Sequence, residues 1–421
     1  MVTAVVIGAG IAGLLTAKAL EDRFDRVIVV ERDRLPLDAE YRSGVPQGRH
    51  AHGLLLRGAQ IMEDFFPGLR SELVDAGAQL MDAGHAQVLT PHGWAAQGET
   101  GLPMLSVSRP FLETAIRHRV SAEFVDGANV VGFRFDGSTV DGVRVRARDS
   151  SAEEVIEASL VVMAAGRTAK LAEWLRAAGV EVPEPVSVDS RTGYATRLYS
   201  LPHNDEVAIG QLISAPVQRR GCSATRIEGG KLLVTLQGAD GDHPSNDPDE
   251  FMAFARSLDV GLAEVLSDLE PVTPIYLYAR TASSMRAYEK VSEWPAGLIA
   301  VGDAVATLNP LYGQGMTVAA LEAELLRSHT DFSSEGVKAF QAALAKIVAG
   351  PFGMSAGADA QWSPDFKPGL MNKVMDRWQV ALTRDVDMVR RFLSVVHLQA
   401  PPTSLLRPSA LWKLRSAKVS A

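Results

Sequence analysis

Cysteine is almost missing from this chain of 421 residues, which contains only Cys222. A single cysteine excludes an intramolecular disulfide and any metal site built from several thiolates, and it is typical of a reducing compartment. We therefore expect a cytoplasmic protein, in which Cys222 is a small apolar side chain. The first residues lack the charged leader and cleavage-site pattern of a signal peptide.

Long apolar runs and positive charge are also scarce. No uninterrupted apolar segment reaches the roughly 20 residues that a membrane-spanning helix needs, so we expect no integral membrane contact. The formal net charge is −8, and no stripe of Lys and Arg indicates nucleic-acid binding. The composition, 47% hydrophobic and 22% charged, is that of a folded protein, and its length predicts two or three domains.

The N-terminus carries a glycine pattern typical of dinucleotide binding. An apolar strand over residues 2–7 leads into G-x-G-x-x-G at Gly8, Gly10 and Gly13, and a helical pattern follows over residues 14–20. The first glycine permits a tight turn, the second lets a pyrophosphate approach the backbone, and the third lets the helix pack closely on the strand.

A second apolar strand, residues 26–31, ends in an acidic residue. Glu31 stands 23 positions after Gly8, where a carboxylate accepts hydrogen bonds from the ribose of an adenosine. Strand, glycines, helix and acid together predict a bound dinucleotide. The neighbouring Arg32 either contacts the adenosine or is solvated, and the sequence leaves both open.

A second candidate ligand loop follows the apolar strand predicted over residues 297–301. Gly302 and Asp303 come first, and Gly313 and Gly315 stand where the next helix begins. Peptide N–H groups at a helix N-terminus have no partners within the helix and carry a positive partial charge. This loop therefore suits an anionic or electron-rich ligand.

Basic residues collect in a predicted loop over residues 41–52, which is rich in Gly and Pro. Its members are Arg42, Arg49, His50 and His52. We expect one histidine to face the ligand and the other to pack against the next helix. No further ligand stands at metal-binding spacing, so no metal is expected. Arg109, at the start of another helix, makes either a structural salt bridge or a nucleotide contact.

The rest of the chain predicts a second sheet and a helical tail. Residues 129–148 predict an antiparallel hairpin or meander, residues 159–166 another buried strand, and residues 186–278 a mostly antiparallel sheet that carries the substrate wall. The tail contains an apolar stripe that forms either a flexible lid or an ordinary core. The stripe consists of Met371, Met375, Trp378 and Met388.

The order of these motifs resembles that of the single-chain FAD-dependent monooxygenases of the p-hydroxybenzoate hydroxylase type. The resemblance spans residues 1–330 and depends on the N-terminal glycines with Glu31 occurring together with Gly302-Asp303 and Pro310-Leu-Tyr-Gly-Gln-Gly-Met316. Within that group, the latter motif and the loop Arg42-Ser-Gly-Val-Pro-Gln-Gly-Arg-His-Ala-His52 are most similar to bacterial flavin epoxidases of polyether biosynthesis.

The resemblance implies an α/β fold: a Rossmann-like FAD-binding domain of the GR2 type, an inserted, mostly antiparallel β-sheet substrate domain and a C-terminal helical region. The expected FAD-binding domain comprises residues 1–78, 102–178 and 285–334. The substrate domain comprises residues 79–101 and 179–284, and the helical region residues 335–421.

The same resemblance implies the placement of FAD. Asp303 is expected on the ribityl or pyrophosphate side, the backbone of 313–316 at the ring, and His50 near the ring as the one catalytic candidate. The expected cofactor-binding residues are Gly8, Ala9, Gly10, Ile11, Ala12, Gly13, Glu31, Arg32, Arg42, Arg49, His50, Arg109, Gly302, Asp303, Gly313, Gln314, Gly315 and Met316.

The implied chemistry is insertion of one oxygen atom from dioxygen into an apolar secondary metabolite through a flavin hydroperoxide. The substrate is expected to be alkene- or polyketide-like, as in antibiotic biosynthesis, with alkene epoxidation as the leading reaction and aromatic or polyketide hydroxylation as the alternative. Many relatives carry Asp-Gly where this chain has Ala165-Gly166. The electron donor is therefore either NAD(P)H directly or a separate flavin reductase.

Three other functions remain as rivals. A flavin halogenase would call for a Trp-x-Trp-x-Ile-Pro signature, which residues 93–97 do not supply, and nothing marks Lys170 as a halogenating lysine. A flavin reductase or dehydrogenase is the second. The third, a non-redox binding protein of the same fold, is disfavoured by the intact glycines, Glu31 and Asp303.

Overall fold

The computed structural model describes residues 2–202 and 206–415. The helices of this part of the chain are α1 Ile11–Leu20, α2 Leu56–Phe65, α3 Leu69–Asp75, α4 Arg109–Arg117, α5 Leu171–Ala177, α6 Pro248–Arg256, α7 Leu262–Ser267, α8 Gly315–Ser328, α9 Ser334–Asp359, α10 Leu370–Leu382, α11 Val386–Val396 and α12 Pro408–Leu414. None of these helices has the length and apolar character needed to cross a bilayer.

The strands of the same described residues form five sheets. They are β1 Thr3–Ile7, β2 Arg26–Glu31, β3 Gln79–Asp82, β4 Gln87–Thr90, β5 Gly93–Trp94, β6 Pro103–Ser106, β7 Glu123–Asp126, β8 Ala128–Asp136, β9 Thr139–Ala147, β10 Glu154–Glu157, β11 Leu160–Met163, β12 Val186–Val188, β13 Gly193–Ser200, β14 Ala208–Gln211, β15 Arg220–Ile227, β16 Lys231–Gly238, β17 Tyr276–Tyr278, β18 Ser283–Met285, β19 Leu298–Ala300 and β20 Ala306–Thr307.

A parallel sheet forms the centre of the predicted dinucleotide-binding region, in the order β19-β11-β1-β2-β7. Its strands are apolar runs because helices cover the sheet, and all four residues of β11 are buried. Helix α8 packs against α1 and α2, and α9 packs against β19. The predicted α/β class with a Rossmann-like region is confirmed.

Two glycines bring the end of β1 close to its neighbours. Gly8 has φ of +106°, and a Cβ at this position would lie 2.7 Å from the carbonyl oxygen of Ala164, which follows β11. A Cβ on Gly13 would lie 1.8 Å from the carbonyl oxygen of Gly8, so only glycine lets α1 approach the loop.

The second large sheet has the order β17-β13-β16-β15-β14-β4-β5. All of its pairs are antiparallel except β14 with β4, so the predicted antiparallel character is confirmed. Helices α6 and α7 pack on this sheet, and Phe251 and Phe254 of α6 are buried in the apolar core between them. The two helices are separate because Gly261, with φ of +66°, begins the second one.

The antiparallel hairpin predicted within 129–148 turns at Asp136-Gly137, whereas the second Asp-Gly pair, Asp141-Gly142, lies inside β9. A Cβ on Gly142 would come within 2.5 Å of the carbonyl oxygen of Ile156, so glycine is needed there for the approach of β10. In the C-terminal helical region, α9 continues through Pro351 and ends at Asp359.

The C-terminal helices form a separate apolar cluster beside the second sheet. Trp378 and Met388 are 0% and 1% exposed and belong to this core. Met371 is 54% exposed, and Met375 is partly buried. The predicted stripe therefore divides into two core residues and two residues at its edge. The domain boundaries given above stay a prediction.

Candidate active site

A cleft lies at the edge of the parallel sheet where β1, β2 and β11 end. Residues from the N-termini of two helices line it: Gly10 and Ile11 from α1, and Gly315 and Met316 from α8. Neither helix has a side chain that caps its first N–H groups. The free N–H groups give both ends of the cleft a positive partial charge.

Most of the expected cofactor-binding residues lie along this cleft. The residues that line it are Gly8, Gly10, Ile11, Ala12, Glu31, Arg32, Arg109, Gly302, Asp303, Gly313, Gly315 and Met316. The remaining expected residues, Ala9, Gly13, Arg42, Arg49, His50 and Gln314, are outside its lining. The structure therefore brings both loops to one cleft, although almost 300 positions separate them in sequence.

Glu31 is held rigidly under the glycine loop. Its carboxylate accepts hydrogen bonds from the backbone N–H groups of Ala9 at 2.7 Å and Asp33 at 3.0 Å. The buried Arg42 guanidinium lies 3.5 Å from Glu31, contacts Glu113 and donates to the carbonyl oxygen of Ala9 at 3.0 Å. Arg42 thus lies behind the loop, where it fixes Glu31 and Ala9.

Arg49 and His50 lie between the 41–52 loop and the second sheet. The Arg49 guanidinium stacks on the rings of Tyr41 and Tyr276, at 4.8 and 4.2 Å from their centroids. The Nδ1 atom of His50 is 2.8 Å from Thr196 Oγ1 on β13. Burial, with a smaller contribution from Arg49, lowers the pKa of His50 to about 4, so this imidazole is neutral at neutral pH.

His52 is the histidine that lines the cleft. Its Nδ1 lies 2.9 Å from the carbonyl oxygen of His50. Burial and then the charge of Arg109 lower the pKa of His52 to about 3. One histidine of the pair therefore faces the cleft, but it is His52 and not His50. The other, His50, packs against the second sheet and not against the next helix, where it was expected.

Two basic residues of the cleft were missed by the sequence reasoning. Arg167 and Lys170 follow β11 and line the cleft, and Arg167 donates to the carbonyl oxygen of Ala282 at 3.2 Å. Because the carboxyl ends of parallel strands meet at one edge, their position after β11 was an available signal. Burial raises the pKa of Asp303, while the charges of Arg167 and Arg109 oppose that rise.

Glu322 is a third missed residue, and it is only 1% exposed on α8. Its Oε2 accepts a hydrogen bond of 2.6 Å from the N–H of Gly302, the residue before Asp303. Burial raises the pKa of Glu322 to about 8, opposed by the Gly302 hydrogen bond. Its position four residues from the buried Val318 and Leu326 places it on the apolar face of the helix, which was the available signal.

The second cavity, of about 1970 Å³, lies between the seven-stranded sheet and the C-terminal helices. Much of its lining is apolar, including Val88, Leu212, Met354, Phe366, Met375 and Phe392. His92 and Asp376 also line it and are joined by a contact of 2.9 Å, although 284 positions separate them.

One short segment, Pro310–Met316, contributes to both cavities; we call it the partition segment. Pro310, Gly313, Gly315 and Met316 line the cleft. Leu311, Tyr312 and Gln314 line the larger cavity. A group bound at the α8 end of the cleft is therefore adjacent to a molecule held in the larger cavity.

A buried polar network fixes the partition segment. The Asn309 carboxamide donates to Asp359 Oδ1 at 2.9 Å and to Ser190 Oγ at 3.1 Å, and it accepts from the Tyr194 hydroxyl at 3.1 Å. The Tyr312 hydroxyl also donates to Asp359 Oδ1, at 3.1 Å. The network joins the segment to α9 and to the second sheet.

The cleft fits a dinucleotide with a ring system. The glycine loop leaves no room for a Cβ at Gly8, whereas a Cβ at Gly315 would meet nothing within 4 Å, so the backbone at the start of α8 is open to a ligand. Four basic side chains supply charge for a pyrophosphate: Arg32, Arg109, Arg167 and Lys170. Both helix N-termini suit negative charge.

The fold and this cleft are those of the flavin oxidoreductases of the p-hydroxybenzoate hydroxylase type. The chain belongs to the FAD binding domain family, whose model matches residues 1–329. It is also 34% identical, over 349 residues, to Protein Rv3254 of Mycobacterium tuberculosis, an alignment that covers 77% of this chain and 72% of that protein.

Solved structures share the fold at low sequence identity. A flavoprotein/dehydrogenase from Cytophaga hutchinsonii has a TM-score of 0.70 at 13% identity, covering 99% of this chain and 98% of that one. PqsL, a probable FAD-dependent monooxygenase from Pseudomonas aeruginosa, has a TM-score of 0.61 at 17% identity, covering 94% and 99%. The myxobacterial chondrochloren halogenase CndH has a TM-score of 0.62 at 14% identity, covering 96% and 98%.

Proposed function

We propose that the protein is an FAD-dependent monooxygenase that adds one oxygen atom from dioxygen to an apolar small molecule. The observation that carries this proposal is the partition segment, whose backbone lines the cleft while Tyr312 and Gln314 line the larger, mostly apolar cavity. An enzyme that oxygenates a substrate at a flavin needs this adjacency of cofactor site and substrate cavity.

The chain's own residues bind and orient the reactants. The glycine loop, Glu31 and Arg109 would hold the adenosine and pyrophosphate end of FAD, and the N–H groups at the start of α8 offer positive partial charge to an anionic ring. FAD supplies the redox chemistry that activates dioxygen. The apolar walls of the larger cavity exclude water from the reacting centre.

The finer proposal is epoxidation of an alkene, with hydroxylation of an aromatic or polyketide substrate as the alternative. Alkene epoxidation requires no catalytic base, and the Tyr312 hydroxyl next to the cleft is committed to Asp359. The proposed partners are dioxygen, an alkene- or polyketide-like substrate and an electron donor, which is NAD(P)H or a separate flavin reductase.

The test begins with the purified protein, which should be yellow or should bind added FAD. The bound flavin is then photoreduced without oxygen, so that no reductant has to be assumed. Oxygen is added together with a polyene or a phenol, and mass spectrometry measures the product. A gain of one oxygen atom supports the proposal, and the product structure separates epoxide from phenol hydroxylation.

Added chloride and bromide separate the halogenase rival. A product that gains a halogen in place of oxygen overturns the monooxygenase proposal in favour of that function. Protein that stays colourless and does not bind FAD overturns every redox function and supports a non-redox binding protein.

A further inference from the structure

We infer that the Gln314 carboxamide binds a hydroxyl group of the substrate, next to the carbon that receives oxygen. This inference rests on the proposed function and narrows its substrate class. The substrate would be an apolar molecule with a hydroxyl beside the reacting carbon, such as an allylic alcohol or a phenol.

Gln314 lies at the boundary between the two cavities. Its neighbours Gly313 and Gly315 line the cleft, while Gln314 itself lines the larger cavity. A substrate atom held by this side chain is therefore close to the boundary between the two cavities. That boundary is where the reacting carbon has to lie.

The amide oxygen of Gln314 has no hydrogen-bond partner among the described residues. Gln314 is 5% exposed, and its Oε1 is buried. An unpaired buried amide oxygen destabilises a protein, because it has lost its hydrogen bonds to water. Such groups are rare in folded proteins, and a turn of the Gln314 side chain toward the cavity that this residue lines lets a ligand supply the missing hydrogen bond.

The neighbouring polar side chains already have hydrogen-bond partners within the protein. The Tyr312 hydroxyl donates to Asp359, and Asn309 uses both ends of its carboxamide within the buried network. Leu311 has no polar group. Within the partition segment, all of which the structure describes, the Gln314 carboxamide is the polar group left for the substrate.

The chemistry of the carboxamide selects the class of substrate. The amide oxygen is an acceptor, so a hydroxyl can donate to it, whereas a carbonyl group has no hydrogen to donate and leaves it unpaired. A plain hydrocarbon leaves the amide unpaired. Sites built to hydrogen-bond an oxygen function discriminate strongly against the analogue that lacks it.

The test uses 1-naphthol and naphthalene, which have the same rings and differ by one hydroxyl. Their binding to the FAD-loaded protein is measured by equilibrium dialysis, without a reductant. We expect 1-naphthol to bind at least about tenfold more tightly than naphthalene, a difference of about 1.4 kcal/mol. In Gln314→Leu, and in Gln314→Met as a second variant, the ratio should fall to about twofold or less.

The matched control is Gln379→Leu, which removes another carboxamide from the cavity lining on α10 and should keep the tenfold ratio. The inference is overturned when the Gln314 variants keep the preference, or when the unsubstituted protein shows none, including the case that neither compound binds. A shifted flavin spectrum with an unchanged preference assigns Gln314 to the cofactor and also overturns it. Because dialysis needs no turnover, these outcomes differ from failure of the proposed function, in which no bound compound gains oxygen.

Discussion

The Asn309 carboxamide donates a hydrogen bond of 2.9 Å to Asp359, and the two residues are 0% and 1% exposed. Asp359 is the last residue of α9, and Asn309 directly precedes the partition segment. Ser283 Oγ donates to the other carboxylate oxygen of Asp359 at 2.9 Å. The contact therefore joins the partition segment, which forms the wall between the cleft and the larger cavity, to the end of α9.

Replacing Asp359 with Ala should loosen that wall. The change leaves the buried donors of Asn309, Tyr312 and Ser283 without their acceptor, which should lower the free energy of unfolding by about 1–3 kcal/mol. FAD should also bind more weakly, because the backbone at the start of α8 loses its support. Chemical denaturation and FAD titration measure the two effects. The exposed Asp365→Ala is the control, and equal values for both variants would contradict the role of the network.

Replacing Glu322 with Gln should change how stability depends on pH. Burial raises the pKa of Glu322 to about 8, above the unfolded value near 4.3, so the folded state holds a proton that the unfolded state releases in this range. The stability of the unsubstituted protein should therefore fall as pH rises from about 4.3 to 8, by an amount on the order of a few kcal/mol.

The Gln side chain can still accept the hydrogen bond from Gly302 but does not titrate. The stability of Glu322→Gln should therefore change less between pH 5 and pH 8, as measured by urea unfolding. Glu324→Gln on the same helix is the control, since Glu324 forms a partly exposed ion pair with Arg57. Parallel pH curves for the unsubstituted protein and Glu322→Gln would refute the assignment.

Replacing Asp303 with Ala should weaken FAD binding. The Asp303 carboxylate lines the cleft and accepts no hydrogen bond from any described residue, so it is available to a hydroxyl of the cofactor. Loss of a hydrogen bond to a charged acceptor should raise the dissociation constant roughly tenfold or more. Equilibrium titration with FAD measures it, with the exposed Asp75→Ala as control. An unchanged dissociation constant would remove Asp303 from the proposed site.

NADPH alone should reduce the bound flavin slowly. Ala165 lines the cleft and carries no acidic group that could help to bind the nicotinamide cofactor. Stopped-flow absorbance at the flavin band compares NADPH alone with NADPH plus a flavin reductase, and reduction should be much faster with the second protein. Rapid reduction by NADPH that a substrate accelerates further would show that no separate reductase is needed.

Much of the fold could be predicted from the sequence because its signals are local. The glycines that follow β1, the acid at the end of β2 and the glycines at the start of α8 each belong to one short stretch. Because strand ends in a parallel sheet meet at one edge, these stretches also predict a shared cleft. Apolar alternation predicts the strands of the second sheet for the same local reason.

The contacts between distant residues could not be predicted in this way. Nothing in the sequence pairs Asn309 with Asp359, or His92 with Asp376, because those pairs depend on how α9 and α10 dock. The choice between His50 and His52 depends on Thr196, which lies on another sheet. The unpaired state of Gln314 likewise emerges only when its surroundings are known.

Two side chains attach helix α9 to the rest of the fold, and they limit how its length can vary among related sequences. Gln341 near its beginning donates to the carbonyl oxygen of Ala300 at 3.2 Å, and Asp359 at its end holds Asn309. These two attachment points lie 18 residues apart, about 27 Å along the axis at 1.5 Å per residue. Inserting or deleting one residue between them would turn Asp359 by about 100° away from the network. Natural variants should therefore differ in the side chains of this helix while keeping its length.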